Sequence, residues 1–296
     1  MRIISRRKFL QIAAAVAIAP AGNDDFPTND ATSSIRFFVL GDWGTGGKLQ
    51  REVARGMDGK ARAARPQFIL STGDNIYPDG IDSASDPQWK SKFEDIYTAE
   101  SLQIPWYATL GNHDYRKNPD AQIAYAAGNP RWNMPARYYK FSKTGANTSV
   151  DFFAIDTQQI VTGKADEQLD WLAGELGKST ARWKVVFGHV MLRSHGLYGD
   201  QPAMIRALKP LFDRYGVAAY FCGHDHDLQC IKRPDDHFFQ IISGAGGGSR
   251  KTTPGKYTLF SATNGGFVFC DATESVLSVE FLDKTGKSLY VCRITQ

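Results

Sequence analysis

The chain is 296 residues long, 42 % hydrophobic and 22 % charged, the make-up of an ordinary globule with enough length to bury a full core without staples. Its formal charge of +4 vanishes once Arg2, Arg6, Arg7 and Lys8 are set aside, so the body is neutral and nothing in the balance points to nucleic acid or an anionic membrane as partner. Four cysteines, Cys222, Cys230, Cys270 and Cys292, form no CxxC pair and no zinc-finger spacing.

Taken in chain order, the first segment reads as an address. Ser5-Arg6-Arg7-Lys8-Phe9-Leu10, a short Ala-rich run over Ile12–Ala19 and the small-residue ending Ala19-Pro20-Ala21 resemble a twin-arginine export signal. The run is too short to span a bilayer. The expectation is a signal peptide over residues 1–21, a polar linker over 22–34 and one domain over 35–296. The resemblance implies transport by the twin-arginine machinery, a periplasmic or secreted bacterial protein folded and metal-loaded beforehand, and no stable membrane insertion once the signal is removed.

Apolar runs then alternate with helical patterns: a strand at Phe37–Leu40, a helix over Lys48–Arg65 with Leu49, Val53 and Met57 at four-residue steps, a strand at Phe68–Ser71, a helix over Gln88–Ala99 and a strand over Ile104–Leu110. Two strands follow at Tyr138–Phe141 and Val150–Ile155, then a helix over Asp166–Leu176 with Gly177 placed to stop it. Lys184–Phe187 is a strand, Pro202 opens a helix that Gly216 closes, and Val217–Cys222 is a strand. Beyond it five strands at 238–243, 257–261, 266–270, 276–282 and 289–294 read as antiparallel, with a glycine cluster at Gly244, Gly246, Gly247 and Gly248 that closes a turn. Cys270 and Cys292 fall on two of these strands and are candidates to pair in an oxidising compartment; Cys222 reads as buried. A βαβ first half and an antiparallel second half suggest an α/β fold of two mixed sheets packed face to face with helices outside.

Five polar blocks follow apolar strands: Gly41-Asp42-Trp43-Gly44, Gly73-Asp74-Asn75-Ile76-Tyr77, Gly111-Asn112-His113-Asp114, Gly188-His189 and Gly223-His224-Asp225-His226. Strand ends in such sheets converge on one rim, the usual place for ligands. Five of the six histidines, His113, His189, His195, His224 and His226, fall in or just after these blocks, which favours ligation or catalysis over packing. With Asp42, Asp74, Asn112 and Tyr77 as oxygen donors and three imidazoles, seven ligands are too many for one tetrahedral zinc and suit two ions sharing a bridging carboxylate.

In this order and context Asp42, Asp74, Tyr77, Asn112, His189, His224 and His226 resemble the ligand set of the calcineurin-like metallophosphoesterases. The tyrosine narrows the likeness to the purple acid phosphatases, in the short, tartrate-resistant acid phosphatase branch. The resemblance runs from about Phe37 to the C-terminus and implies a four-layer αββα sandwich. It implies a ferric site of Asp42, Tyr77 and His226 and a divalent site (iron, zinc or manganese) of Asn112, His189 and His224, bridged by Asp74. The reaction implied is hydrolysis of small phosphate monoesters in acid by in-line attack of a metal-bound hydroxide. His113 would face the leaving group as hydrogen-bond donor or general acid, with Asp114 either orienting it or capping, and His195 would be a second substrate-facing histidine. About ten residues separate Asp156 from Asp166, where relatives carry a longer covering loop, so the site is expected to be open. Two other readings stand beside this one: a phosphodiesterase or nucleotidase of the same fold with two divalent ions, and a non-catalytic binding protein that keeps a metal-supported fold.

Overall fold

The computed structural model describes residues 34–296; the expected signal over 1–21 and all of the expected linker but residue 34 lie outside them. The chain opens with β1 (Ile35–Leu40), almost wholly buried. It passes into α1 (Lys48–Ala64), whose Val53, Met57 and Ala61 make one buried face at four-residue steps. Next come β2 (Phe68–Ser71), β3 (Trp106–Ala108), α2 (Asp120–Ala126), β4 (Trp132–Asn133), β5 (Tyr139–Thr144) and β6 (Ser149–Ala154). Two helices, α3 (Thr157–Val161) and α4 (Asp166–Lys178), precede β7 (Trp183–Phe187), and α5 (Pro202–Tyr215) precedes β8 (Ala219–Cys222). The rest is strand: β9 (Leu228–Ile231), β10 (Phe239–Ser243), β11 (Thr258–Ala262), β12 (Gly266–Ala272), β13 (Val276–Asp283) and β14 (Ser288–Thr295).

These strands make two seven-stranded mixed sheets, ordered β14-β13-β12-β1-β2-β3-β4 and β11-β9-β10-β8-β7-β6-β5. Between them Phe37 stacks on Phe68 and meets Phe152 of the other sheet edge-on, each at 5.2 Å; full burial of each such ring stabilises by about 1.5–3 kcal/mol. On the outer face of the second sheet Leu172 and Leu176 of α4 and Leu208 and Phe212 of α5 are fully buried. The expected αββα layering is what the chain adopts. Among the described residues no helix is long and apolar enough to cross a membrane.

Several local expectations give way to tertiary packing. The helix over Gln88–Ala99 is instead a wide turn, Lys90–Glu94, and a tight one, Glu100–Leu102. Phe93 and Tyr97 are drawn out of helical register into a buried cluster with Trp43, Trp106 and Trp132. Gly177 does not stop α4, which runs on to Lys178. β10 pairs parallel to β8, so the second half is not purely antiparallel. β9, folded back on β10 directly after the histidine block, and β4 have no periodic signal long enough to read.

Cys270 and Cys292 do not pair; all four cysteines are free. Both register with Val279, from opposite sides. They therefore stand two strand spacings apart, about 9.5 Å, beyond the roughly 4.4–6.8 Å between Cα atoms that a disulfide spans. Cys292 lies instead against Cys230, and this contact together with burial pushes the Cys230 thiol well above its usual range.

Candidate metal centre

All five blocks sit at the C-terminal ends of parallel strands. Asp42 follows β1, Asp74 follows β2 and Asn112 follows β3 in one sheet; His189 follows β7 and His224 follows β8 in the other. The two rims are stitched at the backbone by Gly41 N–H donating to the Ser243 carbonyl (2.8 Å), while within each rim Asp42 N–H donates to Gly73 (3.0 Å) and Gly223 N–H to His189 (2.9 Å). The glycine cluster lets two chain segments touch, Gly246 N–H reaching the Gly41 carbonyl and Gly247 N–H that of Asp42.

The turns are tight enough that Asp42, Asp74 and His224 adopt φ values of 56°, 51° and 70°. Left-handed backbone costs a non-glycine residue of order 1–3 kcal/mol and persists where the surroundings over-determine it. Gly111 cannot carry a side chain at all, since a Cβ would lie 2.1 Å from Asp74 Oδ1. Beneath the rim, the fully buried Asp114 accepts backbone N–H bonds from Asn75, Ile76 and Gly111. It splices two of the loops and does not orient His113; burial, with Asp74 nearby, pushes its carboxyl up to about 7.

Two groups of donors result, sharing one oxygen. In the first, Tyr77 Oη stands 2.9 Å from Asp42 Oδ1, 2.9 Å from Asp74 Oδ2 and 3.0 Å from His226 Nε2. In the second, His189 Nε2 lies 3.1 Å from Asn112 Oδ1, 3.1 Å from His224 Nδ1 and 3.5 Å from the same Asp74 Oδ2. His189 Nδ1 donates to the Thr72 carbonyl at 2.9 Å; burial favours the neutral ring but Asp74 and Asp42 outweigh it and raise the pKa without an ion, and the neutral form has a lone pair on Nε2. That lone pair points at a carbonyl oxygen and a carboxylate, an arrangement of acceptors on acceptors that a cation relieves. The liganding atoms of Asp42, Asp74 and His189 alone fall within 4.8 Å of one another.

Electrostatics agree with a cation-binding role. Burial would raise the Asp42 carboxyl, but His189, His226 and His224 outweigh it and hold it below its usual value. Burial, with the Asp42 and Asp74 carboxylates, pushes the Tyr77 phenol far above its ordinary range, so only a strong positive charge would make it a phenolate. Burial and His189 push His224 down to about 3, leaving the neutral, ligating form of the imidazole.

His113 is near the seven but outside them. Its backbone N–H donates to Asp74 Oδ1 (2.8 Å), its ring lies 4.5 Å from that of Tyr77, and Nδ1 is engaged by the Pro78 carbonyl. Nε2 is left toward the open side, 4.0 Å from Asp74 Oδ2 and 3.4 Å from Arg116 Nη2. His195 stands further off: among the described residues no hydrogen bond joins its ring to the seven, and the ring packs where a Cβ on Gly255 would sit. The short segment after Asp156 folds as α3, capped by Asp156 accepting from Gln158 N–H. Trp43 is wholly buried with Nε1 donating to Ser71 Oγ, and Tyr115 donates to Asp156. Sequence reasoning missed Tyr198, whose ring lies on His224 at 4.1 Å, and Asp225, which holds Tyr198's loop; only the latter carried a signal, as the residue between the paired histidines.

The sequence profile of the calcineurin-like phosphoesterases matches residues 35–228. Tartrate-resistant acid phosphatase type 5 of Oryctolagus cuniculus is 33 % identical, the alignment covering 89 % of this chain and 92 % of that protein. Purple acid phosphatase 4 of Arabidopsis thaliana is 33 % identical over 87 % of this chain and 82 % of its own. Among solved structures, GAP50, the anchor in the inner membrane complex of Plasmodium, superposes with a TM-score of 0.83 at 26 % identity, covering 89 % of each chain.

Proposed function

The chain belongs to the calcineurin-like phosphoesterases, in their purple acid phosphatase branch, and is a hydrolase, an acid phosphatase of the dinuclear-metal type; we propose that it cleaves small phosphate monoesters at a ferric ion paired with a divalent one. The observation that carries the metal assignment is the position of Tyr77 Oη, within 3.0 Å of Asp42, Asp74 and His226. A phenolate beside carboxylates is a hard, anionic donor set suited to a trivalent ion. Asn112, His189 and His224 are neutral donors suited to a divalent ion, iron, zinc or manganese, and Asp74 would bridge the pair. When bound, such a pair supplies an activated water in acid and neutralises charge on the phosphoryl group.

The chain's own residues do the rest. Asp114 and the Thr72 carbonyl fix the loops and the His189 ring, so the donors are aimed before any ion arrives. His113, held at Nδ1 by Pro78, delivers a proton from Nε2 to the ester oxygen as its bond to phosphorus breaks, so the alcohol leaves neutral. Arg116, paired with Asp79 at 3.1 Å, stands beside it with Nη2 3.4 Å from Nε2.

The likeness to an anchor protein keeps a non-catalytic role in view; the convergence of all seven donors favours catalysis. Metal analysis and a visible spectrum, with p-nitrophenyl phosphate hydrolysis in acid, test the proposal. Protein active with two divalent ions and colourless would favour the phosphodiesterase or nucleotidase alternative, whereas one that binds no metal would sink both. Export through the twin-arginine route to the periplasm or beyond is part of the same reading. Its support is Arg6-Arg7 with the Ala19-Pro20-Ala21 ending, and Arg6→Lys with Arg7→Lys should hold the protein in the cytoplasm.

A further inference from the structure

Beside His224 opens a cleft of about 530 Å³ whose walls include His195, Leu197, Arg250, Lys251, Thr252 and Thr253, a size suited to a small organic group. Its inner end is tied to the metal centre twice. The Tyr198 ring lies on that of His224, 4.1 Å between centroids and 16° from parallel. Arg250 N–H donates to the carbonyl of His226 at 2.7 Å, while its side chain stands 5.5 Å over the Tyr198 ring and Nη1 donates to Tyr198 Oη at 3.1 Å.

The loop carrying Leu197 and Tyr198 is pinned from beneath. Buried Asp225 accepts the N–H of Leu197 (2.9 Å) and of Tyr198 (3.3 Å) and the hydroxyl of Ser194. So held, the loop presents Leu197 to the cleft at 66 % exposure, and a ligand laid on it pays little to order it. The cleft also carries surplus positive charge. Among the described residues neither Arg250 nor Lys251 has a carboxylate partner, whereas Arg116, beside His113, is neutralised by Asp79.

We propose that this cleft is the leaving-group subsite, and that it selects phosphate monoesters of a planar aromatic alcohol bearing a second anionic group. The ring lies against Leu197 and His195, and the second anion, carboxylate or phosphate, meets Arg250 and Lys251. A guanidinium fork matches either anion, and charge-assisted hydrogen bonds are the strong ones. His195 is then a wall of the subsite. The inference rests on the phosphatase reading of the adjoining centre.

The test uses the metal-loaded full chain and two esters of nearly equal shape, 4-carboxyphenyl and 4-carbamoylphenyl phosphate, at pH 6. Wild type should favour the carboxylate by about tenfold in kcat/KM, and Arg250→Gln and Lys251→Met should each pull that ratio towards one. Comparing ratios between proteins cancels the intrinsic reactivity of the two leaving groups. Calorimetric binding of 4-carboxybenzylphosphonate, which is not turned over, should weaken in parallel. Lys251 is exposed, so its substitution leaves folding intact should Arg250→Gln disturb Tyr198. A wild type active on both esters, with a ratio that neither variant moves, overturns the subsite and leaves the phosphatase reading standing. A wild type inert on both esters and on p-nitrophenyl phosphate overturns that reading, and the subsite with it.

Discussion

Tyr77→Phe removes one oxygen and nothing else from the centre. In the metal-free protein the phenol donates to a buried carboxylate, Asp42 Oδ1 or Asp74 Oδ2, each 2.9 Å away. A single O–H serves only one at a time, so the loss is one hydrogen bond to a charged acceptor, about 1.5–3 kcal/mol. For a chain of this size that lowers the melting temperature by about 3–12 °C. In the loaded protein the change is larger in kind, because the variant lacks a ligand where removing a mere supporting contact already costs about 10–100-fold in affinity. The assay pairs thermal melts of metal-free and reconstituted protein with iron content and the visible spectrum. The variant should lose the phenolate-to-iron absorption and most of its iron while its far-ultraviolet dichroism matches wild type. Should Tyr77→Phe keep the same colour and the same iron, the phenol is not a ligand and the ferric assignment falls.

His113→Ala should lower kcat by about 100-fold or more without changing metal content, and by more for alkyl esters than for p-nitrophenyl phosphate, whose leaving group needs no proton; equal losses on both would remove the acid role. Gly111→Ala would put a Cβ 2.1 Å from Asp74 Oδ1 and 2.3 Å from the Asp74 backbone N, so the variant should melt lower than wild type and fail to hold two ions, as thermal melts and metal titration would show. Asp271, on β12 away from the centre, has one carboxylate oxygen without a partner, and burial raises its pKa above the ordinary 3.8 against the weaker pull of Ser34 and Arg36. The folded state therefore holds that proton more tightly than the unfolded chain, and stability falls as pH rises through the window above 3.8. Asp271→Asn, neutral throughout, should melt higher than wild type at pH 7, the advantage fading by about pH 4; a constant difference across pH would contradict this.

Much of the site was legible because its chemistry is local in sequence. Each block pairs a glycine with a donor directly after an apolar strand, so the strands β1, β2, β7 and β8 and their polar ends could be read together. Between the two roles left open for Asp114, orienting His113 or capping, only the fold could choose. Its neighbour in sequence is His113, but its carboxylate turns inward to three backbone N–H groups, a choice set by how two loops meet. The place of the His195 ring was not legible, since the Gly255 loop, sixty residues on, decides where it lies.

The identity of the donors, their order and the number of ions they suit were determined by the amino-acid sequence alone, because ligand chemistry belongs to side chains and strand endings to short-range patterning. Only the tertiary structure decided that Asp74 Oδ2 stands between the two groups, that Cys292 meets Cys230 and not Cys270, and that Tyr198 and Arg250 wall the site. Those contacts join segments of separate sheets and loops. Their geometry is set by the packing of one sheet on the other, which no pattern within a single segment records.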